Sequence, residues 1–248
     1  MSNKHANRLY VSTSLCSGEK CRLDEDHSHY IFRVLRLRTG DGLVLFDGSG
    51  GEYDAVVSET SRNGVTVVVG KHRKEDRESP LAVNLLQGIS RGDRMDFVVQ
   101  KATELGVHRI TPVVTEFSVV RLATAKAEKR MQHWTRVAQS ACEQAGRTRV
   151  PAIDTPQPLS RRLETAVPRG ASRVVLHPGA SMSLATLKNV VDRIELLIGP
   201  EGGLSDAEYA MAIEAGFAPC SLGPRILRTE TAAIAALALL QAQAGDLA

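Results

Sequence analysis

The stretch Leu196-Leu197-Ile198-Gly199-Pro200-Glu201-Gly202-Gly203-Leu204-Ser205-Asp206-Ala207-Glu208 joins an apolar run to a helix start through a glycine-rich turn. The run that ends at Ile198 predicts a buried strand. Ser205 and Glu208 stand at the N-cap and N3 positions of a capping box, which predicts a helix from there. In α/β proteins, this arrangement brings backbone N–H groups to a ligand at the carboxyl edge of the sheet. We therefore predict a ligand loop; an ordinary tight turn is the alternative.

A second unit of the same kind follows downstream. Residues 219–222 predict a strand, Gly223-Pro224-Arg225 a turn, and 232–244 a helix. That helix carries small or apolar side chains on nearly all of its faces, which is typical of a buried or interface helix. Glu230 lies just ahead of it, either as a site residue or as a favourable charge at a helix N-terminus.

The chain upstream of these units also alternates between strands and helices. Strands are predicted at 81–86, 108–115 and 172–176, and a long helix at 125–145. Such alternation favours a largely parallel α/β sheet. The fold class predicted for this part of the chain is therefore α/β.

The N-terminal part has a different texture. Short β-rich runs at Arg8–Ser12 and Gly42–Phe46, followed by two more before residue 70, predict a small barrel with one helical segment at 26–37. A charged stretch ending at Pro80 predicts a linker. The predicted domains are 1–72, a linker at 73–80, and 81–248.

Composition excludes several classes of protein. The 248 residues include 31 Lys and Arg against 28 Asp and Glu, so the net charge is +3. The 23 arginines against 8 lysines favour a polyanionic partner, although a GC-rich genome has the same effect. No apolar run approaches the ~20 residues of a membrane span, and Met1-Ser2-Asn3-Lys4-His5 leads into no signal-peptide core. The four cysteines form no C-x-x-C pair. We predict a cytoplasmic protein that binds no membrane and no metal.

Common nucleotide and hydrolase motifs are absent from the sequence. There is no Walker A motif, no G-x-S-x-G elbow and no H-E-x-x-H. The near match to a dinucleotide fingerprint at Gly48-Ser49-Gly50-Gly51-Glu52-Tyr53 has Tyr in place of the third glycine. Residue patterns alone thus predict an α/β domain with a glycine-rich small-molecule site.

Two motifs taken together resemble a known family. Ile198-Gly199-Pro200-Glu201-Gly202-Gly203 and Leu222-Gly223-Pro224-Arg225-Ile226-Leu227-Arg228-Thr229-Glu230-Thr231-Ala232 are similar to those of the bacterial 16S rRNA uracil-N3 methyltransferases of the SPOUT superfamily. Gln100-Lys101-Ala102-Thr103-Glu104-Leu105-Gly106 and His29-Tyr30-Ile31-Phe32-Arg33-Val34-Leu35-Arg36 also match, so the resemblance covers essentially the whole chain. Phe117 departs from the family pattern, in which a basic residue is frequent.

The resemblance implies an N-terminal PUA-like RNA-binding barrel and a C-terminal SPOUT domain with a deep trefoil knot. It implies a homodimer that binds S-adenosylmethionine and methylates N3 of a uridine in 16S rRNA of the small ribosomal subunit. The alternatives are a related SPOUT enzyme acting on another RNA, and a non-catalytic RNA-binding or ribosome-assembly protein. The intact glycine-rich motif argues against the last.

Carried over residue by residue, the resemblance also names a site. The cofactor-binding residues would be Leu176, His177, Pro178, Ile198, Gly199, Pro200, Glu201, Gly202, Gly203, Leu222, Gly223, Ile226, Leu227, Arg228 and Ala232. Arg228 would stabilise the uracil anion, and Glu230 would take the N3 proton or position the base. Glu201 is a rival base or a structural turn carboxylate. The candidate RNA contacts are Arg8, His29, Arg33, Arg36 and Arg225.

Overall fold

The computed structural model describes residues 7–61, 64–118, 124–165, 170–187 and 192–247. Residues Met1–His5, on which the prediction of no signal peptide rests, lie outside these ranges. The chain divides into two compact units, Met1–Glu78 with Cys142–Val150, and Ser79–Ala141 with Pro151–Ala248. The first unit thus takes in the segment 73–78 of the predicted linker and adds a piece from the middle of the chain.

The first unit is built on a five-stranded sheet in the order β1-β3-β4-β5-β2. Its strands are β1 (Arg8–Tyr10), β2 (Lys20–Arg22), β3 (Gly42–Phe46), β4 (Glu52–Ser61) and β5 (Gly64–Arg73). β1 pairs with β3 in parallel, and the other described pairs are antiparallel. Alternate residues of β4 and β5, such as Val57 and Val67, enter a core that also buries Leu45 and Ile31. The β-rich expectation for this part is confirmed.

The helical segment predicted at 26–37 has two parts. Helix α1 (Glu25–His29) begins after Asp24, whose side chain accepts a hydrogen bond from the His27 N–H. A π-helical turn, Tyr30–Leu35, follows and ends at Arg36, which has a left-handed φ of 52°. Since π turns are rare and occur often at functional sites, the segment that carries Arg33 and Arg36 is unusual in its backbone.

Glu78 connects the charged segment to residues 147–149 within the first unit. Its carboxylate accepts hydrogen bonds from Arg147 Nε at 3.0 Å and from the backbone N–H groups of Thr148 and Arg149. Arg77 Nη1 donates to the Gly146 carbonyl at 3.0 Å. These contacts explain why residues distant in sequence belong to one compact unit.

His27 is the residue of this unit whose titration is most easily tested. The Glu143 carboxylate, 3.7 Å from Nε2, raises the pKa of His27 above its ordinary 6.5; burial opposes this, and Asp24 adds to it. A raised pKa in the folded state stabilises the protein below the unfolded pKa, and this contribution is lost as pH rises through the folded pKa.

We expect Glu143→Gln to lower the pKa of His27, because a neutral amide no longer favours the imidazolium. The NMR titration of the His27 ring protons measures this shift, with Glu25→Gln as a control on exposed helix α1. The free energy of unfolding lost in Glu143→Gln should be larger at about pH 5.5 than at about pH 9. An equal loss at both values would contradict the assignment.

The second unit contains a seven-stranded sheet in which the described pairs are parallel. Six strands follow the order β12-β10-β11-β6-β7-β8, and β9 also pairs with β7. The strands are β6 (Ala82–Gly88), β7 (Arg109–Val114), β8 (Ala152–Ile153), β9 (Gln157–Pro158), β10 (Ser172–Leu176), β11 (Arg193–Ile198) and β12 (Ala218–Cys220). The predicted parallel α/β class is confirmed, although β8 and β9 are too short to have a clear sequence pattern.

Helices complete the second unit around this sheet. They are α2 (Arg94–Glu104), α3 (Thr124–Ala145), α4 (Leu159–Leu163), α5 (Asp206–Glu214) and α6 (Thr229–Ala244). The last four residues of helix α3, 142–145, belong to the first unit. Helix α6 begins three residues earlier than predicted, so Thr229 and Glu230 belong to its first turn. Its face of Ala233, Leu237 and Leu240 is buried. None of the helices described is long and apolar enough to cross a membrane.

Candidate functional site

The glycine-rich turn after β11 has the local structure that its sequence predicts. Ser205 caps α5 and Glu208 completes the capping box, with both hydrogen bonds formed. Gly203 has a φ of 74° and donates its N–H to the Pro200 carbonyl at 2.9 Å. The turn is therefore fixed at both ends, by a buried strand and by a capped helix.

Close packing against the backbone at the end of β6 also positions this turn. A Cβ atom added to Gly88, at the end of β6, would lie 2.7 Å from the carbonyl carbon of Gly199 and would also contact Pro200. Real Cβ atoms do not approach backbone so closely. Only glycine at position 88 therefore lets the turn rest on the carboxyl edge of the neighbouring strand.

A cavity of about 640 Å³ opens at this edge of the sheet. It lies between the residues that follow β10, β11 and β12 and the first turn of α6. Every residue named above as a cofactor contact lines it: Leu176, His177, Pro178, Ile198, Gly199, Pro200, Glu201, Gly202, Gly203, Leu222, Gly223, Ile226, Leu227, Arg228 and Ala232. The fold thus brings three separate sequence segments to one concave surface of a size typical for small-molecule sites.

Five further residues line the cavity that sequence reasoning did not select: Arg94, Leu204, Cys220, Ser221 and Thr229. Leu204 and Thr229 are adjacent in sequence to predicted site residues, so including the neighbours of each motif finds them. Arg94 comes from a distant helix, and its place in the site follows only from the strand order.

Thr229 links the helix, the turn and the sheet. Its hydroxyl donates to the Gly199 carbonyl at 2.7 Å and accepts a hydrogen bond from Gln87 Nε2 at 2.9 Å. Thr229 and Gln87 are both buried. The link holds the N-terminus of α6 against the glycine-rich turn.

Replacing Thr229 with valine is expected to lower the free energy of unfolding by about 1–3 kcal/mol, because two buried polar groups lose a partner. Chemical denaturation measures the change. Thr231→Val, at an exposed position two residues along the same helix, is the matched control and should stay within about 0.5 kcal/mol of the wild type. Equal stability of the two variants would show that the link contributes little.

Glu201 lies at the edge of the cavity as a hydrogen-bond acceptor. Its Oε1 accepts from the Arg91 N–H at 3.0 Å and from Arg94 Nη1 at 2.8 Å. Partial burial raises the pKa of Glu201, but hydrogen bonds from backbone N–H groups and from Arg94 outweigh this and hold the pKa below its ordinary value. Because a carboxylate with a lowered pKa is a weaker base, the structure favours the structural role of Glu201 in the turn over the role of general base.

Arg228 and Glu230 lie on either side of the helix start. Arg228 is the N-cap residue of α6; it is exposed and lines the cavity, whereas Glu230 is not among the lining residues. Glu230 Oε1 is 3.9 Å from Arg94 Nε, and its Oε2 is buried with no hydrogen-bond partner among the described residues. Arg94 thus stands between the two candidate carboxylates.

His177 contributes to the wall of the cavity through packing. Its ring lies 4.5 Å from that of Tyr209, centroid to centroid, and its Nδ1 accepts the Gly179 N–H at 3.1 Å. These contacts orient the imidazole as part of the cavity wall.

The candidate RNA contacts occupy different environments. Arg8 forms an ion pair with the buried Glu52 and donates from Nη2 to the Arg147 carbonyl at 2.9 Å, so its side chain is only 13% exposed. The structure therefore does not favour Arg8 as a phosphate contact. His29, Arg33 and Arg36 are exposed around the π turn.

Arg225 is exposed as well and lines the cavity of the second unit. Within the described part of the chain, no group of three or more His, Cys, Asp or Glu residues is arranged to hold a metal ion.

Models of two protein families match the chain. The model described as RNA methyltransferase domain matches residues 77–241, and the model described as RNA methyltransferase PUA domain matches residues 23–70. The first alone covers more than half of the chain.

Curated and solved relatives agree with these models. The ribosomal RNA small subunit methyltransferase E of Buchnera aphidicola subsp. Schizaphis graminum is 34% identical over 98% of this chain and 99% of its own. A Legionella pneumophila protein in complex with S-adenosylmethionine is 38% identical, with a TM-score of 0.92 over 98% of this chain and 99% of that one. The ribosomal RNA small subunit methyltransferase E of Neisseria gonorrhoeae, bound to S-adenosylmethionine, is 35% identical, with a TM-score of 0.91 over 98% and 100%.

The fold, the cavity and these similarities converge on one assignment. The predicted fold class is confirmed as a PUA-like N-terminal domain followed by an RNA methyltransferase domain with a parallel α/β sheet. The chain belongs to the family of the ribosomal RNA small subunit methyltransferases E.

Proposed function

We propose that this protein transfers a methyl group from S-adenosylmethionine to N3 of a uridine in 16S rRNA of the small ribosomal subunit. The observation that carries the proposal is the cavity, in which all of the expected cofactor residues come together. Its relatives from N. gonorrhoeae and L. pneumophila, crystallised with S-adenosylmethionine, support the choice of methyl donor.

The residues present fit such a donor. The cavity of about 640 Å³ has apolar walls from Leu176, Ile198 and Leu227, and the glycine-rich turn places main-chain groups at its edge. A Cβ at Gly199 would lie 2.8 Å from the Gly203 carbonyl carbon, so the tight turn needs glycine there. When bound, the sulfonium compound supplies an electrophilic methyl group.

We assign to Arg228 the stabilisation of the uracil anion. Uracil N3 must lose its proton as it attacks the methyl group, and negative charge then develops on O2 and O4. The exposed Arg228 guanidinium, with no ion-pair partner among the described side chains, is placed to stabilise that charge.

We propose that Glu230 either accepts the N3 proton or orients the uracil. Its buried Oε2 has no described hydrogen-bond partner, whereas Glu201 already accepts from Arg91 and Arg94. Arg94 Nε lies 3.9 Å from Glu230 Oε1. Glu201 then serves to hold the turn.

Methyl transfer from labelled S-adenosylmethionine to small subunits from a strain lacking the enzyme tests the proposal. The product nucleoside, identified by mass spectrometry, should be 3-methyluridine in 16S rRNA. Cofactor binding without labelling of subunits would favour a related enzyme for another RNA. Absence of cofactor binding would favour a non-catalytic RNA-binding or assembly protein.

Three further properties belong to the same proposal. We place the protein in the cytoplasm, where ribosomal subunits are assembled. We also propose that the chain between β10 and α6 forms a trefoil knot and that two chains assemble as a homodimer whose site uses both. Sedimentation equilibrium at micromolar concentration distinguishes the dimer from a monomer.

We propose that the first unit binds RNA through His29, Arg33 and Arg36, and that Arg225 adds a contact beside the cavity. The double variant Arg33→Ala/Arg36→Ala is expected to weaken rRNA binding and to reduce the slope of log K against log salt by roughly 0.7–0.9 for each phosphate group that is no longer neutralised. Filter binding at several salt concentrations measures both quantities. Arg136→Ala, at an exposed site on α3, is the control. An unchanged slope would remove the two arginines from the interface.

A further inference from the structure

A second cavity lies at the opposite edge of the parallel sheet of the second unit. It has a volume of about 750 Å³ and is lined by residues at the amino ends of β6, β7 and β11, among them Ala82, Arg109 and Arg193. The proposed cofactor cavity lies at the carboxyl ends of β10 and β11 and shares no lining residue with it.

The wall of this second cavity is rich in arginine. Four arginines line it against two carboxylates, Asp154 and Glu195. Asp154 is already neutralised, since it accepts hydrogen bonds from Arg109 Nη1 and from Thr111 Oγ1, each at 2.6 Å. The second carboxylate is neutralised in a similar way.

Glu195 is shared by the buried Arg162 and the partly buried Arg173. Its Oε1 forms an ion pair with Arg162 Nη2 and accepts a hydrogen bond from Asn84 Nδ2 at 3.2 Å. Its Oε2 accepts a hydrogen bond from Arg173 Nε at 3.1 Å. One negative charge thus faces two positive charges. The side chain of Arg162 is only 9% exposed, and its Nη1 has no hydrogen-bond partner among the described residues. A buried guanidinium with an unused donor and an excess of positive charge is costly unless an anion compensates it.

Two more arginines at the cavity have exposed side chains. Arg161 follows the start of α4, and Arg193 begins β11. Neither has an ion-pair partner among the described residues. These two exposed guanidinium groups line the cavity together with Arg162, whose unused donor is buried in the wall.

We propose that this second cavity binds a phosphate group. Guanidinium groups present planar pairs of donors that match phosphate oxygens, and the cavity is large enough for a sugar phosphate or mononucleotide. The phosphate belongs either to a free phosphorylated metabolite or to the RNA backbone. The site uses no residue assigned to methyl transfer, so it stands independently of the function proposed above.

Calorimetric titration of the full-length protein with ribose 5-phosphate tests this site. S-adenosylmethionine is kept saturating, so that the other cavity does not take up the probe. We expect saturable binding, and an increase in Kd of about tenfold or more in Arg161→Ala/Arg193→Ala, as expected when charged hydrogen bonds are removed. These two residues are exposed, so the double variant should fold. Arg136→Ala is the matched control and should bind as the wild type does.

A second titration with a uracil-free oligoadenylate of eight nucleotides identifies the source of the phosphate. Weakening of oligoadenylate binding in the double variant, by a similar factor, assigns the site to the RNA backbone. Unchanged oligoadenylate binding with weakened ribose 5-phosphate binding assigns it to a free phosphorylated compound. Absence of saturable binding of both probes to the wild type, or equal binding by the double variant and the wild type, would overturn the proposal.

Discussion

Replacing Arg228 with alanine is expected to lower the rate constant for methylation of the small subunit by about 10²–10³-fold, the usual effect of removing a group that stabilises a developing oxyanion. Arg228 lines the cavity at the N-cap of α6 and is exposed, so its loss should leave the fold intact. Single-turnover transfer of labelled methyl groups measures the rate constant. The rate constant of Arg228→Lys should lie between those of the wild type and of Arg228→Ala, because lysine keeps the charge but lacks the planar pair of donors.

Arg225→Ala is the matched control for this prediction. Arg225 is exposed at the same cavity, but we assign it to RNA binding. Its loss should raise KM for the subunit and leave kcat nearly unchanged, whereas Arg228→Ala should lower kcat. A kcat of Arg228→Ala within about threefold of the wild type would exclude Arg228 from the stabilisation of the uracil anion.

Replacing Gly88 with alanine is expected to weaken S-adenosylmethionine binding about tenfold and to lower the free energy of unfolding by about 1–3 kcal/mol. The added methyl group would overlap the backbone of Gly199 and Pro200, where no flexible side chain can yield. The glycine-rich turn must then move away from the sheet, and the cavity changes shape. Calorimetry and chemical denaturation measure the two effects.

Gly42→Ala is the control for Gly88→Ala. A Cβ at Gly42, in a strand of the first unit, would meet its nearest neighbour, the Ala55 carbonyl oxygen, at 3.9 Å, which is ordinary contact. This variant should stay within about 0.5 kcal/mol of the wild type and bind the cofactor normally. If Gly88→Ala also bound S-adenosylmethionine normally, the close packing of the turn on β6 would not matter for the site.

Local features of the site could be predicted because they depend on neighbours in sequence. The capping box of Ser205 and Glu208 closes over four residues, and both of its hydrogen bonds form. The start of α6 was predicted three residues too late, because Arg228 caps the helix without a side-chain hydrogen bond and so leaves no N-cap signature. The set of site residues itself came from the family resemblance, since composition and spacing alone reached only a glycine-rich ligand site.

The sequence by itself determined the turn, its capped helix and the parallel character of the sheet. Only the tertiary structure decided that Gly88 supports the turn, that Thr229 joins Gln87 to Gly199, and that Arg94 reaches Glu201. It also decided that Arg8 pairs with Glu52. The physical reason is the range of the interactions: hydrogen bonds within a turn follow from adjacent residues, whereas these contacts join segments far apart in sequence and depend on strand order and register.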